Sequence, residues 1–154
     1  MKLSHLDAEG RARMVDVGDK PVSDRTAIAS GAVRLSREAY DLVAGEGVPK
    51  GDVLTVAEVA GVMGAKRTGE LVPLCHPLGL DHVQVEAGLD PELPGVEVTA
   101  TVRVTGRTGV EMEALTAVMV ACLTVYDMVK AVDKGMVIQD VKLVSKTKRP
   151  SHSS

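Results

Sequence analysis

Along residues 96–105 every second side chain is apolar or small: Val96, Val98, Ala100, Val102 and Val104 alternate with Glu97, Thr99, Thr101, Arg103 and Thr105. In an extended chain successive side chains point to opposite faces, so this run is a strand with one covered and one open face. Such a strand is stable only under an apolar layer. His82-Val-Gln-Val-Glu-Ala87 repeats the alternation. Residues 88–95, with Pro91 and Pro94, read as the loop between two antiparallel strands.

The covering layer lies downstream. Residues 114–125 carry no charge and are apolar nearly all round, inside a helix predicted over residues 110–132. A helix of that kind is buried on most sides, and in 154 residues full cover calls for another subunit. The core has no Phe and no Trp, and its only aromatics are Tyr40 and Tyr126. Val, Leu, Ala and Met bury less area per residue, which again favours stability gained between subunits.

Upstream, residues 25–35 read as a strand. Ser36 offers an N-cap for a helix through Ala44 that Gly45 stops, and Asp52 caps a second helix from Val53 to about Arg67. Gly61 and Gly64 weaken that second helix, so packing has to hold it. Residues 136–147 read as a last strand. The order strand, two helices, two strands, long helix, strand implies an α+β domain, with helices on one face of an antiparallel sheet. We divide the chain into an irregular N-terminal arm (residues 1–24, with an apolar docking piece at 14–17), a single domain (25–147) and a polar tail (148–154).

A net charge of −3 gives no basic field for nucleic acid, and the near-absence of aromatics removes base-stacking platforms. Cys75 and Cys122 make no disulfide framework and read as reduced thiols, hence a cytoplasmic protein. The first residues carry no apolar leader core, and no uncharged apolar run reaches membrane-spanning length.

Several residues are candidates for chemistry. Thr108-Gly-Val-Glu111 matches a capping box, so Glu111 reads equally as a cap or a site residue. Glu113 lies one turn inside an apolar helix and has no capping role. Asp127 and Lys130 are neighbours on one helix face, and an acid there opposes the helix dipole. Asp127 follows a long apolar stretch, so we expect it partly buried, an acid–base partner for Lys130. Glu113 and Asp127 lie about 21 Å apart along the helix axis and point within about 40° of each other. Two copies of the helix packed antiparallel would bring Glu113 of one toward Asp127 of the other.

Lys50 precedes a helix N-terminus, where a lysine and free amides suit phosphate. Lys66 and Arg67 close the same helix, where cations complement the dipole. Arg107 is either a phosphate contact or plain surface. Leu71-Val-Pro-Leu-Cys-His-Pro77 reads as a stiff extended connection that presents Cys75 and His76. Cys75 and His76 with His82 and Cys122 fit no zinc spacing, so no metal site is expected. Adjacent residues on an extended segment point apart, which disfavours a Cys75–His76 nucleophile pair and leaves His76 as a substrate contact.

Six stretches then resemble one family: Met14-Val-Asp-Val17, Lys50-Gly-Asp-Val53, Ala65-Lys-Arg-Thr68, Leu71-Val-Pro-Leu-Cys-His-Pro-Leu78, Thr105-Gly-Arg-Thr-Gly-Val-Glu-Met-Glu-Ala-Leu115 and Tyr126-Asp-Met-Val-Lys130. Together, and in this order, they are similar to the cyclic pyranopterin monophosphate synthases, accessory protein C of molybdenum-cofactor (molybdopterin) biosynthesis. The resemblance implies a ferredoxin-like fold in a homohexamer, a trimer of dimers with sites at the dimer interface. It implies a lyase that converts 3′,8-cyclised dihydro-GTP to the cyclic pterin and releases diphosphate. No cofactor is then required, although Mg²⁺ can accompany the substrate triphosphate. By the same resemblance Asp127, Lys130 and Lys50 are catalytic. Leu74, Cys75, His76, Met112 and Glu113 bind the ring system, Lys66 and Arg67 gain weight as phosphate contacts, and Asp16 organises the site through the arm. A pterin-binding or scaffolding protein and a purely structural oligomer are the competing readings; turnover separates the first from an enzyme, and a GTP-analogue thermal shift the second.

Overall fold

The first two helices begin where the sequence offers an oxygen to cap them. Ser36 Oγ accepts the Ala39 amide at 3.1 Å to open α1 (Arg37–Ala44), and Asp52 Oδ1 accepts the Thr55 amide at 3.1 Å to open α2 (Val53–Lys66). Each bond satisfies a helix-terminal donor that has no partner inside the helix. In the computed structural model, which describes residues 4–151, these helices lie between β1 (Ser23–Arg34) and β2 (His82–Asp90). A one-turn helix α3 (Thr68–Leu71), unread in the sequence, follows α2. β3 (Gly95–Gly106), α4 (Glu111–Val129) and β4 (Val137–Pro150) complete the chain.

The four strands form one antiparallel sheet in the order β2-β3-β1-β4, with β1 paired to both β3 and β4. That order, with helices between β1 and β2 and between β3 and β4, is the expected ferredoxin-like arrangement. The alternation of 96–105 survives intact: Val96, Val98, Ala100, Val102 and Val104 are buried under the helices. Opposite them on the same face lie Ala27, Ala29 and Val33 of β1, and over them Ala114, Ala117, Val118, Ala121 and Val125 of α4. Among the largest fully buried side chains most are valines, each contributing about 1.5 kcal/mol or more on burial. Gly61 and Gly64 let α2 lie close on α4: a Cβ at Gly61 would meet the Ala117 carbonyl at 3.0 Å, and one at Gly64 would meet Val120 Cγ2 at 2.8 Å. The two residues that weaken α2 by propensity are the ones that let it pack.

Several sequence expectations change. The loop between β2 and β3 is shorter than residues 88–95, because β2 continues to Asp90 by pairing with β3. The capping box does not form. Val110 occupies the N-cap without a side-chain bond, and Thr108 Oγ1 turns to the Gly109 carbonyl at 3.3 Å. Residues 148–150, expected in the tail, are strand, since Ser23 to Arg25 pair with Lys148 to Pro150. Nor is α4 buried all round: Met119 (53% exposed) and Leu123 (60%) face outward, joined by Val59 and Met63 of α2. By length and composition alone α4 could also span a membrane; half of its apolar window is buried inside this fold. The arm starts with a turn closed by a Leu6–Ala12 bridge and an Asp7–Arg11 ion pair at 3.0 Å. Residues 1–3 of the arm and 152–154 of the tail lie outside the described residues.

Candidate active site

The predicted site residues gather mainly at the two ends of α4. At its N-terminal end a cleft of about 580 Å³ opens between the arm and residues 72–76. Leu74, Cys75, His76 and Met112 all line it, and Val15 and Val17 of the docked arm close one side. The 72–76 connection is a turn rather than an extended segment: the Cys75 amide donates to the Val72 carbonyl at 3.1 Å. Pro73 holds the second position of that turn, where its fixed φ fits. Because the chain turns, Cys75 and His76 both face the cleft despite being adjacent.

Beside this cleft lies Glu113, 2% exposed. The Cys75 thiol donates to its Oε2 at 3.6 Å, while Oε1 is buried with no partner among the described residues. Burial raises the Glu113 pKa, since an ion loses more than an acid does on leaving water. The Cys75 thiol is pushed up to about 11, first by burial and then by the Glu113 charge. At neutral pH it is a protonated donor, not a nucleophile. Glu111 turns instead toward Lys146, 3.6 Å away.

At the other end of α4, Asp127 bridges two lysines. Lys50 Nζ lies 2.9 Å from Oδ2 and Lys130 Nζ 2.9 Å from Oδ1. Lys50 also donates to the Asp127 carbonyl at 3.3 Å, satisfying a helix-end acceptor. Asp127 is not partly buried, as its position after an apolar stretch implied; its side chain is 53% exposed, because the last turn of α4 turns this position to solvent. Lys130 first and Lys50 second hold its carboxyl below the usual range. The two cations also offset the unfavourable placement of an acid at a helix C-terminus. A carboxylate between two ammoniums can take a proton and pass it along.

Other predicted residues fall elsewhere. Lys66 lines a separate groove of about 430 Å³ with Leu80 and His82, and Arg67 is the exposed C-cap of α2. Asp16 is exposed and does not line the cleft that Val15 and Val17 line; its Oδ1 accepts the Gly18 amide at 2.9 Å and shapes a turn. Among the described residues no group of three or more His, Cys, Asp or Glu side chains is arranged to hold a metal. The sequence reading missed His5 and Lys20, which the arm brings to the cleft; it grouped Lys50 with Asp127 only through the family resemblance, since nothing in their spacing announces the contact.

Glu113 and Asp127 are thus about 21 Å apart along one helix, and neither end alone holds both the ring-binding cleft and the Asp–Lys cluster.

The MoaC family profile matches residues 14–149. A cyclic pyranopterin monophosphate synthase of Cereibacter sphaeroides is 60% identical over 144 residues, covering 94% of this chain and 91% of the relative. Proteins of the same name from Dinoroseobacter shibae (58% over 144 residues, 94% of this chain and 91% of the relative) and Streptomyces coelicolor (59% over 146 residues, 95% and 85%) are similar along nearly the same span. With a profile covering most of its length and relatives near 60% identity, the chain belongs to the MoaC family.

Proposed function

We propose that this chain is a cyclic pyranopterin monophosphate synthase, a lyase of molybdenum-cofactor (molybdopterin) biosynthesis. It converts 3′,8-cyclised dihydro-GTP to cyclic pyranopterin monophosphate and releases diphosphate. The observation that carries the reading is the Lys50–Asp127–Lys130 cluster in a chain of this family. The ring rearrangement needs a proton taken from one position and delivered to another. Asp127, held anionic by its lysines, takes the proton, and Lys130 or Lys50 returns one. Leu74, Cys75, His76 and Met112 hold the rings, and the unpartnered Oε1 of Glu113 accepts from a ring N–H. A sugar hydroxyl then attacks the α-phosphorus, and the bond to the bridging oxygen of the leaving diphosphate breaks. Charge neutralisation and positioning dominate that step. Lys66 and Arg67 contribute to phosphate binding only if a second copy brings them to the cleft, and Asp16 acts through the arm's turn.

The working site is shared between two copies. The apolar stripe of Val59, Met63, Met119 and Leu123 supports this, as does the separation of the two site halves along α4. Antiparallel packing of two such faces would join the cleft of one copy to the Asp–Lys cluster of the other. Three such dimers make the hexamer. No redox change occurs, so the reaction requires no cofactor, and any Mg²⁺ enters with the triphosphate. The free cysteines support a cytoplasmic setting.

Single-turnover conversion of the cyclised intermediate by wild type and by Asp127→Asn tests the reading. Product and diphosphate from wild type, with a loss of about a hundredfold or more in the variant, are expected. Tight binding without turnover by wild type would make the protein a pterin-binding one instead.

A further inference from the structure

Two carboxylates are buried among the described residues, Glu113 and Asp133. Glu113 lies beside the cleft. Asp133 follows the end of α4, three residues past Lys130, and does not line the cleft. Both of its oxygens are taken by backbone amides. Oδ1 accepts from Gly135 at 2.9 Å and shapes the turn into β4. Oδ2 accepts from Ser36 at 2.7 Å, across the molecule, where α1 begins. Burial pushes this carboxyl up and the two amides more than reverse it, so Asp133 is an anion at neutral pH. A buried ion is costly, and a turn alone can be closed by an exposed residue.

The Asp133–Ser36 bond joins the two segments that carry the lysines of Asp127. On one side, the Val132 and Asp133 amides both donate to the Val129 carbonyl, and Lys134 Nζ donates to the Lys130 carbonyl at 2.8 Å. Asp133 therefore moves with the end of α4 on which Lys130 sits. On the other side, Ser36 opens α1, and the loop after α1 is fastened to its last turn: Gly45 donates to the Asp41 carbonyl and Gly47 to that of Leu42. That loop leads to Lys50. Leu35 and Arg37 fasten the start of α1 to the carbonyls of Pro94 and Pro91, not to α4. Among the hydrogen bonds of the described residues, residues 35–51 meet residues 126–136 only at Asp133–Ser36 and at Lys50–Asp127 itself.

We propose that Asp133 is a positioning residue for the Asp–Lys cluster: by accepting the Ser36 amide it fixes the segment that carries Lys50 against the one that carries Lys130, so that both ammoniums meet Asp127. This rests on the reading of Asp127 as the base given above. Asp133 touches no substrate and acts through the two lysines.

The test uses the full chain with isotope-labelled aspartate carboxyls titrated by NMR, the Asp127 signal being assigned by its loss in Asp127→Asn. In Asp133→Ala the Asp127 carboxyl should titrate at higher pH than in wild type, because the lysines no longer both reach it. With cyclised dihydro-GTP, kcat should fall about tenfold or more with KM little changed. Asp133→Asn, with one acceptor left for two amides, should fall between the two. Ser36→Ala loses the α1 cap but keeps the N–H, so it should lower stability and leave the Asp127 titration in place. Thermal unfolding checks that each variant is folded. If Asp133→Ala does not fold, Ser36→Pro removes the same bond from the donor's side, at a φ of −63° that proline accepts, and the same shift is expected. An unmoved Asp127 titration in either folded variant, or an equal shift in Ser36→Ala, overturns the proposal whatever the turnover. A shift in a protein whose wild type does not turn over keeps Asp133 as the residue that positions the cluster and overturns the synthase reading alone.

Discussion

Lys50 Nζ and Asp127 Oδ2 lie 2.9 Å apart although 77 residues separate them, joining the loop before α2 to the last turn of α4. Lys130 holds the other carboxylate oxygen, and the two cations depress the Asp127 pKa together. Removing Lys50 relieves part of that depression. In Lys50→Met the acid limb of the kcat/KM profile should therefore move to higher pH, with a plateau about a hundredfold or more below wild type. Profiles between pH 4 and 9 decide this, and an unmoved acid limb would take Asp127 out of the base role.

Burial gives Glu113 the opposite signature. Its folded-state pKa is raised above the ordinary 4.5, so its contribution to stability is fully present below that value and is lost as pH rises through the folded pKa. Glu113→Gln cannot ionise. Its stability relative to wild type should be lowest at pH 4 and improve toward pH 7, read from denaturant midpoints at both values. The Cys75 thiol should follow: with the Glu113 charge gone, its pKa falls below about 11, and alkylation at pH 8 speeds up. Cys122 is fully buried and gives little background.

If the site is shared between copies, two crippled proteins can repair each other. Glu113→Gln and Asp127→Asn each lose activity alone. Mixed and re-associated in equal amounts, they should regain about a quarter of wild-type activity, because half the dimers are hybrids with one intact site each. Mixing without recovery would put both residues in one subunit's site. Leu123→Lys should yield a folded protein of smaller hydrodynamic size with little turnover, since it places a charge in the apolar stripe.

Gly61→Ala should destabilise the fold by about 1–2 kcal/mol. The added methyl would lie 2.9 Å from Val85 Cγ1 and 3.0 Å from the Ala117 carbonyl, and that overpacking outweighs the better helix propensity of alanine. Urea midpoints of the two proteins measure the difference.

The fold was legible wherever a local signal decided it. The alternation of 96–105, the caps Ser36 and Asp52 and the stop at Gly45 all lie where the sequence puts them. Extents fixed by partners were not legible: β2 runs to Asp90 and β4 to Pro150 because neighbouring strands continue to offer hydrogen bonds there. In the site, the i, i+3 spacing of Asp127 and Lys130 announced their contact, while Lys50 reaches Asp127 only through the packing of α2 on α4. The turn at Pro73 was hidden because an apolar segment between prolines reads as extended until its ends are fixed. Lys20 carried no motif of its own, and only the docking of the arm gives it a place.

The position of β1 has a consequence for how the protein is made. As an inner strand it takes one neighbour from residues 95–106 and the other from residues 137–150, so it has neither when it leaves the ribosome. Loop-closure entropy is spent before either pairing is formed, which makes folding slow and places its completion after synthesis. Until β4 arrives, one edge of β1 stays open to any passing strand. A chain interrupted before residue 137 would carry Lys50, Asp127 and Lys130 and yet leave that edge of β1 without its partner strand.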